Sequence, residues 1–381
     1  MDTHGPPILY KRRILPVLRL SSRVDTAVFA AALVGLLLQA PIAPPQPSPA
    51  PQSSFAARIT SLSEAPGYFD TDNLISNERS YLQVIPDLRA PEIRGGAYIG
   101  VGPDQNFSYI AAVRPSVAFI IDVRRDNMLL HLLFKALFQL TRTRVEYLSL
   151  LFGRPVPVRV NPWRDASIDR LVQYVDSARV DASANEKLRV RITDAITDFG
   201  VALSRDDLET IDRFHRRFID AGLALQFQST GRAPQSHYPT YRELLVARAP
   251  DGKPRHYLAA EDSFQIVKAL QASDLIIPVV GNLSGPSALA SVGSFMKQRG
   301  NTLAAFYASN VEFYLFGEGT FRDFVMNLRR VPHTNHSLII RSVFGRWRSG
   351  DGSSSQAQSI AAMLDAVQNG RIRSYRDLID Y

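Results

Sequence analysis

The sequence predicts an α/β domain in which helices cover both faces of a mainly parallel sheet. Two observations support this fold class. Short apolar runs such as Val117–Ile121 alternate with stretches whose apolar residues recur every three or four positions. The apolar runs also end in glycine or small polar residues. Strands that are buried on both faces have this uninterrupted apolar composition, and such sheets bind ligands at the carboxyl ends of their strands.

The first strands and helices lie between residues 97 and 140. A predicted strand at Ala97–Val101 precedes a predicted helix at Pro103–Val113, whose proline lies in the first turn, where no amide donor is needed. The strand at Val117–Ile121 ends at Asp122, and Asn127–Leu140 has the apolar spacing of an amphipathic helix. The order strand, helix, strand, helix is that of a parallel βαβα unit.

Three further strands are predicted after a long interval, with helices between them. They are a strand ending at Gly281 and Asn282, a strand at Thr302–Tyr307 followed by Ser309 and Asn310, and a strand at His336–Phe344. The interval itself, about 141–273, predicts a mostly helical insertion between the second and third core strands. Within it, Ser204 is a predicted helix N-cap. Residues Tyr241–Ala259 predict a hairpin around Asp251 and Gly252.

The turn after the first strand contains two glycines, Gly100 and Gly102. Residues without a side chain let the backbone approach a ligand closely, and the following helix contributes free amides and a partial positive charge. Asp122, at the tip of the second strand, lies 20 residues after Gly102. A carboxylate at this distance can accept hydrogen bonds from ribose hydroxyls. A purely structural glycine turn is the alternative interpretation.

The pattern of this turn resembles the first motif of class I S-adenosylmethionine (SAM) methyltransferases, acidic-x-G-x-G-x-G. It differs from the dinucleotide motif GxGxxG, whose third glycine is replaced here by Gln105. It also departs from the methyltransferase motif, because Tyr98 replaces the leading carboxylate and Asp104 replaces the third glycine. The resemblance covers the segments on either side of the insertion. It implies a Rossmann-like, methyltransferase-type sheet with SAM as the cofactor.

The same resemblance assigns candidate site residues. Those implied to bind the cofactor are Gly100, Gly102, Asp104, Asp122, Gly281, Asn282, Ser309 and Asn310. Asp104, Glu78 and Glu312 are candidates for a catalytic base or an orienting group. Glu78 falls in a predicted helix at Asp70–Arg89, with Asn77 and Tyr81 on the same face. In methyltransferases a helix at this place often covers the cofactor; the alternative is a solvated face with Tyr81 packed on the core.

The C-terminal tail, 345–381, departs from the family. Methyltransferases of this class normally add an antiparallel hairpin of two strands after the fifth strand, whereas this tail predicts a loop and a helix. The methyltransferase-like domain is therefore expected at 55–344, and the resemblance is to an atypical bacterial branch.

The N-terminal 40 residues predict a signal peptide or membrane anchor. Basic residues between Lys11 and Arg23 precede an apolar run at Ala27–Leu38, and 41–54 is a proline-rich linker. Because the positive charges precede the apolar run, the domain is expected on the outer, periplasmic side of the membrane. A cytoplasmic protein with a misassigned start codon is the alternative.

Composition excludes several kinds of site. The chain has 381 residues, a formal charge of +8 and no cysteine, so disulfides, thiolate metal sites and cysteine nucleophiles are excluded. No basic stripe with interleaved aromatic residues is present, and nucleic-acid binding is not expected. The sequence also lacks GxxxxGK[ST], HExxH and GxSxG motifs, and no metal site is predicted.

Two hypotheses for function follow. The first is an enzyme that transfers a methyl group from SAM to a small molecule or a protein side chain, with the acceptor substrate undetermined. The second is an exported, membrane-tethered binding or structural module on a methyltransferase-like fold, without catalysis. The glycine turn and Asp122 favour the first hypothesis. An export segment favours the second, because it would remove the domain from cytosolic SAM.

Overall fold

A six-stranded sheet forms the centre of the protein in the computed structural model, which describes residues 53–233, 235, 237–345 and 352–381. The strand order is β3-β2-β1-β4-β5-β6. Strands β1 to β5 run parallel, and β6 pairs antiparallel with β5. The bounds are β1 Ala97–Gly100, β2 Val117–Asp122, β3 Ile276–Val280, β4 Leu303–Ser309, β5 His333–Phe344 and β6 Ser353–Ser359. The predicted α/β class with a mainly parallel sheet is confirmed.

Helices surround the sheet and form the interval between β2 and β3. In chain order they are α1 Phe55–Leu62, α2 Ile85–Leu88, α3 Gln105–Val113, α4 Arg125–Leu140, α5 Arg144–Leu151, α6 Ile168–Ser177, α7 Ala182–Asp198, α8 Arg205–Ala221, α9 Tyr241–Val246, α10 Glu261–Ala272, α11 Ala288–Gln298, α12 Val311–Gly317, α13 Phe321–Leu328, α14 Ile360–Gln368 and α15 Tyr375–Asp380. Short 3-10 turns lie at Pro91–Ile93, Asn161–Trp163 and Gly222–Ala224. The predicted helical insertion corresponds to α5–α10.

The central strands are covered on both faces. Every residue of β1 and of β3 is buried, and successive side chains of a strand point to opposite faces of the sheet. The long helix α4 contacts β2 and β3 as well as α7, α8 and α10 of the insertion. The insertion therefore packs on the sheet through α4.

The strand order places a crevice between β1 and β4. The chain proceeds outward from β1 to β2 and β3, then returns to the other side of β1 to form β4. At such a reversal the connections after the two neighbouring strands leave in opposite directions, and the crevice between them is the usual ligand site.

The prediction of a helix at Asp70–Arg89 is wrong, because within this segment only α2, Ile85–Leu88, is helical. Thr71 and Ser76 each accept a hydrogen bond from a backbone amide two residues further on, and Asn73 has a left-handed backbone with φ of 42°. These local bonds compete with helical ones. The segment is irregular and reaches the carboxyl ends of the strands.

Two other predictions need correction. The hairpin predicted at Tyr241–Ala259 begins instead with helix α9, which Thr240 and Glu243 cap. The turn at Gly252 is present, and Ala249 N donates to the Lys253 carbonyl across it, but the pairing of its two arms is an isolated bridge between Arg248 and Pro254 rather than a pair of strands. The tail after Phe344 contains strand β6 and two helices rather than a loop and one helix. Polar strand β6 has few apolar residues of its own and forms by pairing with β5.

The signal or anchor segment at 1–40 and most of the linker at 41–54 lie outside the described residues. The first described helix is α1, close to the predicted start of the domain. Among the helices that the structure describes, none has the length and apolar character needed to cross a bilayer.

Candidate functional site

A cavity of about 180 Å³ lies at the carboxyl ends of β1 to β4, and we call it the strand-end cavity. Six of the eight predicted cofactor-binding residues line it, together with one of the three catalytic candidates. They are Gly102, Asp122, Gly281, Asn282, Ser309, Asn310 and Glu78. The structure thus brings together residues that are more than 200 positions apart in the sequence. Gly100, Asp104 and Glu312 do not line it.

The two glycines of the β1–α3 turn have different roles. A Cβ at Gly100 would lie 1.9 Å from Asn106 Oδ1, so this glycine makes room for a core side chain. Gly102 has φ of 80°, which favours glycine, and a Cβ there would meet only Asn73 Nδ2 at 3.4 Å and Gln105 Nε2 at 3.8 Å. Gly102 faces the cavity, whereas Gly100 faces the core.

The glycine turn is held from the core side. Tyr98 Oη donates to Asn106 Oδ1 at 2.8 Å, and Asn106 Nδ2 donates to the carbonyls of Val101 and Pro103. Burial lowers the pKa of His131 to about 4, so its imidazole is neutral and Nε2 donates to the Gly102 carbonyl at 2.9 Å. His131 is thus a hydrogen-bonded residue of the core. These contacts fix the backbone that borders the cavity.

Asp122 lies at the tip of β2, as predicted, but its carboxylate already binds Arg124. Oδ1 accepts from Arg124 N and Nε, at 2.9 and 3.1 Å, and Oδ2 accepts from Nη2 at 2.8 Å. The guanidinium is buried and also donates to the Thr71 carbonyl. An ionised carboxylate has about four acceptor positions. One position on Asp122 Oδ2 therefore remains for a ligand.

Gly281 and Asn282 follow β3 and pack against an internal carboxylate, Glu64. Glu64 accepts from the amides of Asn282, Ser287 and Ala288, at 2.9 to 3.0 Å. Burial works against its charge, but these hydrogen bonds lower its pKa on balance. A Cβ at Gly281 would lie 2.2 Å from that of Ala288. The free amides at the start of α11 are thus satisfied within the protein.

Glu78 lies where the ends of β4 and β5 meet the irregular segment before β1. Its Oε1 accepts from Tyr307 Oη at 2.6 Å and Ser309 Oγ at 2.5 Å, and Oε2 accepts from Ser342 Oγ at 2.5 Å. The side chain is buried, and burial raises its pKa against the effect of these three donors. Glu78 is a buried carboxylate that hydroxyl groups hold at the edge of the cavity.

Gln105 and Ser309 complete this end of the cavity. Gln105 Nε2 donates to Tyr307 Oη at 2.9 Å, whereas its buried Oε1 has no hydrogen-bond partner among the residues that the structure describes. Ser309 has φ of 52°, a left-handed conformation that costs a non-glycine residue about 1–2 kcal/mol. Unsatisfied polar atoms and strained backbone are both concentrated at functional sites.

Asp104 is buried on the other side of the glycine turn, against the helical insertion. Its Oδ2 accepts from Tyr241 Oη at 2.5 Å and Tyr257 Oη at 3.2 Å. Burial raises its pKa to about 6. Asp104 therefore links α3 to the insertion, and its side chain is directed away from the strand-end cavity.

Glu312 is fully buried in an ion pair with Arg341 of β5. The pair is bidentate, with Arg341 Nε at 2.7 Å from Oε2 and Nη2 at 3.1 Å from Oε1. Arg341 also donates to Gln358 of β6. This carboxylate joins α12 to the last two strands and has no contact with the cavity.

A second, larger cavity of about 1130 Å³ adjoins the first, and we call it the outer cavity. Aromatic rings form much of its wall, including those of Phe227, Tyr238 and Phe313. The two cavities share the lining residues Phe69, Asn77, Asn310 and Tyr314. The outer cavity also has cationic side chains, Arg79 and Arg232, which pair with Glu243 and Asp70 respectively.

Sequence patterns alone did not identify Glu64, Arg124, Gln105 or Ser342 as site residues. Glu64 and Ser342 lie in no motif and reach the site only through the packing of distant segments. The sequence did contain an indication for Arg124, since Asp122-x-Arg124 forms a charged turn at a strand end. Gln105 was noted only because it replaces a glycine.

A family model described as "Domain of unknown function (DUF7790)" matches residues 73–154 and 212–376, which is more than half of the chain. The matched residues include all six strands and the glycine turn. Helices α6 and α7 lie outside the match. No curated protein matches the chain.

Proposed function

The chain belongs to this family of unknown function, and from its geometry we propose that it is a SAM-dependent methyltransferase acting on a small molecule or a protein side chain. The observation that carries the proposal is the strand-end cavity. It lies where the strand order reverses, and Gly102, Asp122 and Ser309 line it at the ends of three adjacent strands. A single antiparallel strand, β6, follows β5 and supports a methyltransferase-type arrangement of the sheet.

The cavity residues fit an adenosyl ligand in several respects. Gly102 presents bare backbone, Asp122 has one acceptor position for a ribose hydroxyl, and Asn282 lies where the resemblance puts the adenine. Ligand pockets usually have volumes of about 300–1,000 Å³. Because the strand-end cavity has about 180 Å³, a ligand the size of SAM also needs part of the outer cavity. The four shared lining residues mark where it would cross.

SAM supplies, when bound, a methyl group on a positively charged sulfur. The protein's part is to hold the acceptor in line with that bond and to exclude water, since positioning alone can lower such a barrier by several kcal/mol. Asn77 and Asn310 lie between the two cavities and are placed to orient an acceptor in the outer one. Of the three catalytic candidates, we retain Glu78, because it is the one that lines the cavity.

The proposal is tested by calorimetric titration of SAM and S-adenosylhomocysteine (SAH) into the full-length chain, purified in a mild detergent. We expect micromolar binding of both ligands. Asp122→Ala should weaken it by about tenfold or more, because it removes a charged acceptor. Asp126→Ala is the matched control, since Asp126 is exposed and does not line the cavity. A folded wild-type protein that binds neither ligand would overturn the proposal.

A second candidate is a non-catalytic binding or structural module, tethered through the N-terminal segment. Two contacts favour it. The Asp122 carboxylate is already paired with Arg124, and Glu64 already accepts from the amides of Asn282 and of the α11 N-terminus. A nucleotide ligand would use this carboxylate and these amides. In this account, the titration gives no heat, and Asp122→Ala lowers the melting temperature through loss of the Arg124 pair.

A further inference from the structure

We propose that the end of the strand-end cavity formed by Glu78 and Gln105 binds a primary ammonium group. This inference rests on the proposed function, and the ammonium group is then the α-amino group of SAM. It assigns Glu78 a role as a ligand-positioning residue rather than a base.

Glu78 lacks a cationic partner. Among the described residues, no Lys, Arg or His nitrogen lies within 4.0 Å of its carboxylate, although the side chain is only 1 % exposed. Its carboxylate accepts from three hydroxyl groups of the described residues, of which Ser342 alone donates to Oε2. Since an ionised carboxylate has about four acceptor positions, one on Oε2 is open. A buried carboxylate without a counter-charge favours a cationic ligand.

Gln105 adds a second acceptor beside it. The side chain is 5 % exposed, and its Oε1 is buried without a hydrogen-bond partner in the described part of the chain. Tyr307 connects the two groups, because its hydroxyl donates to Glu78 and accepts from Gln105 Nε2. An ammonium group has three donors and no acceptor, so it carries a donor for each of the two open acceptors.

The charges around the cavity support the same ligand. Its charged lining residues are Glu78, Asp122, Glu318 and Arg124, which are three carboxylates and one guanidinium. Arg124 is bound to Asp122 through two nitrogens and is not available to an anion. The cavity therefore carries net negative charge and favours a cationic group over a phosphate.

The test compares SAH with its deaminated analogue, in which hydrogen replaces the α-amino group. Titrations into the full-length protein at pH 7.5 should show SAH binding about 10- to 100-fold more tightly, the range of a hydrogen bond to a charged group. Glu78→Gln should weaken the binding of SAH by that factor and leave the affinity for the deaminated analogue unchanged. Glu318→Gln is the matched control, because it removes the same charge from an exposed position on the same cavity; a change below about threefold is expected.

The outcomes separate this inference from the proposed function. Equal affinity of the wild type for SAH and the deaminated analogue would overturn the inference alone. Equal weakening of both ligands by Glu78→Gln would also overturn it, since a merely structural role does not distinguish an amine from hydrogen. Absence of binding by all adenosyl ligands overturns the proposed function and the inference with it. If Glu78→Gln does not fold, the wild-type comparison decides, and Gln105→Met should reduce the preference for SAH.

Discussion

Glu78 and Glu312 are both buried carboxylates, yet they lie in regions with different chemistry. Glu312 lies in the core beneath β5, where Arg341 neutralises it through two nitrogen–oxygen contacts. Glu78 lies at the edge of the strand-end cavity, where its side-chain partners among the described residues are three hydroxyl groups. Burial alone therefore does not identify a functional carboxylate. A charge that the protein leaves uncompensated, at a cavity, is the informative feature.

Asp104 provides an intermediate case. It is buried and held by two phenol groups, as Glu78 is held by hydroxyls, but it lies between α3 and the insertion rather than at the cavity. The three carboxylates differ in what stabilises them, and substitutions can separate the contributions.

The largest expected effect is at the Glu312–Arg341 pair. Glu312→Gln should lower the free energy of unfolding by about 3–5 kcal/mol, because it leaves the buried Arg341 without its counter-charge. Urea unfolding followed by circular dichroism measures the change. Glu78→Gln is the matched control, and a loss of about 1 kcal/mol is expected because its hydroxyl donors can rotate to meet the amide. Equal losses for the two variants would contradict the comparison.

The second effect is a pH dependence that belongs to Asp104. Its pKa in the folded protein is about 6, above the ordinary 3.8, so the folded state holds this proton more tightly than the unfolded state. The resulting stability is present below about pH 4 and is lost as the pH rises through 6. Relative to Asp104→Asn, the wild type should lose on the order of 3 kcal/mol between pH 4 and pH 7.

Urea unfolding of both proteins at several pH values in this window tests the prediction. The variant cancels the contributions of other titrating groups, such as His131, that are common to both proteins. A stability difference that stays constant from pH 4 to pH 7 would show that Asp104 is already ionised in the folded protein.

The smallest effects distinguish the two glycines of the turn. Gly100→Ala should cost about 1–3 kcal/mol of stability, because the added Cβ overlaps Asn106 Oδ1. Gly102→Ala has room for its methyl group and should cost about 1–2 kcal/mol through its positive φ, while weakening SAH more than tenfold. Thermal melting measures the loss of stability in each variant, and titration with SAH measures the loss of binding expected for Gly102→Ala.

The double variant Gly100→Ala/Asn106→Ala provides the control for overlap. If Asn106 is the obstacle, the cost of Gly100→Ala should fall when Asn106 is shortened. Additive costs would mean that Gly100 is required for another reason.

Much of the sheet could be predicted from local sequence. The strands at 97–101 and 117–121 and the helix at 127–140 were found because apolar spacing reports burial directly. The helix expected at 70–89 was wrong because Thr71 and Ser76 bond to nearby amides, which apolar spacing does not report. Strand β6 was missed because its polar residues, such as Ser355 and Gln358, gain their hydrogen bonds from β5.

Some residues of the candidate site could also be predicted from local sequence, whereas others could not. The glycine turn, Asp122 and the residues after β3 and β4 follow strand ends, and the parallel sheet brings strand ends together at one edge. The functions of Glu78, Asp104 and Glu312 could not be separated by sequence, because nothing local shows which carboxylate meets Arg341, which meets tyrosines and which meets the cavity. Those partners come from other strands and from the insertion.

The sequence by itself determined the α/β class, the order of the four elements between residues 97 and 140 and the position of the glycine turn, because these depend on residues close together in the chain. Tertiary structure alone decided that Gly100 faces the core and that Gly102 faces the cavity. It also decided that Arg124 pairs with the carboxylate of Asp122, and that Glu78 has no counter-charge among the described residues. The physical reason is that a charge or a space is defined by all the groups around it, and those groups meet only when the chain is folded.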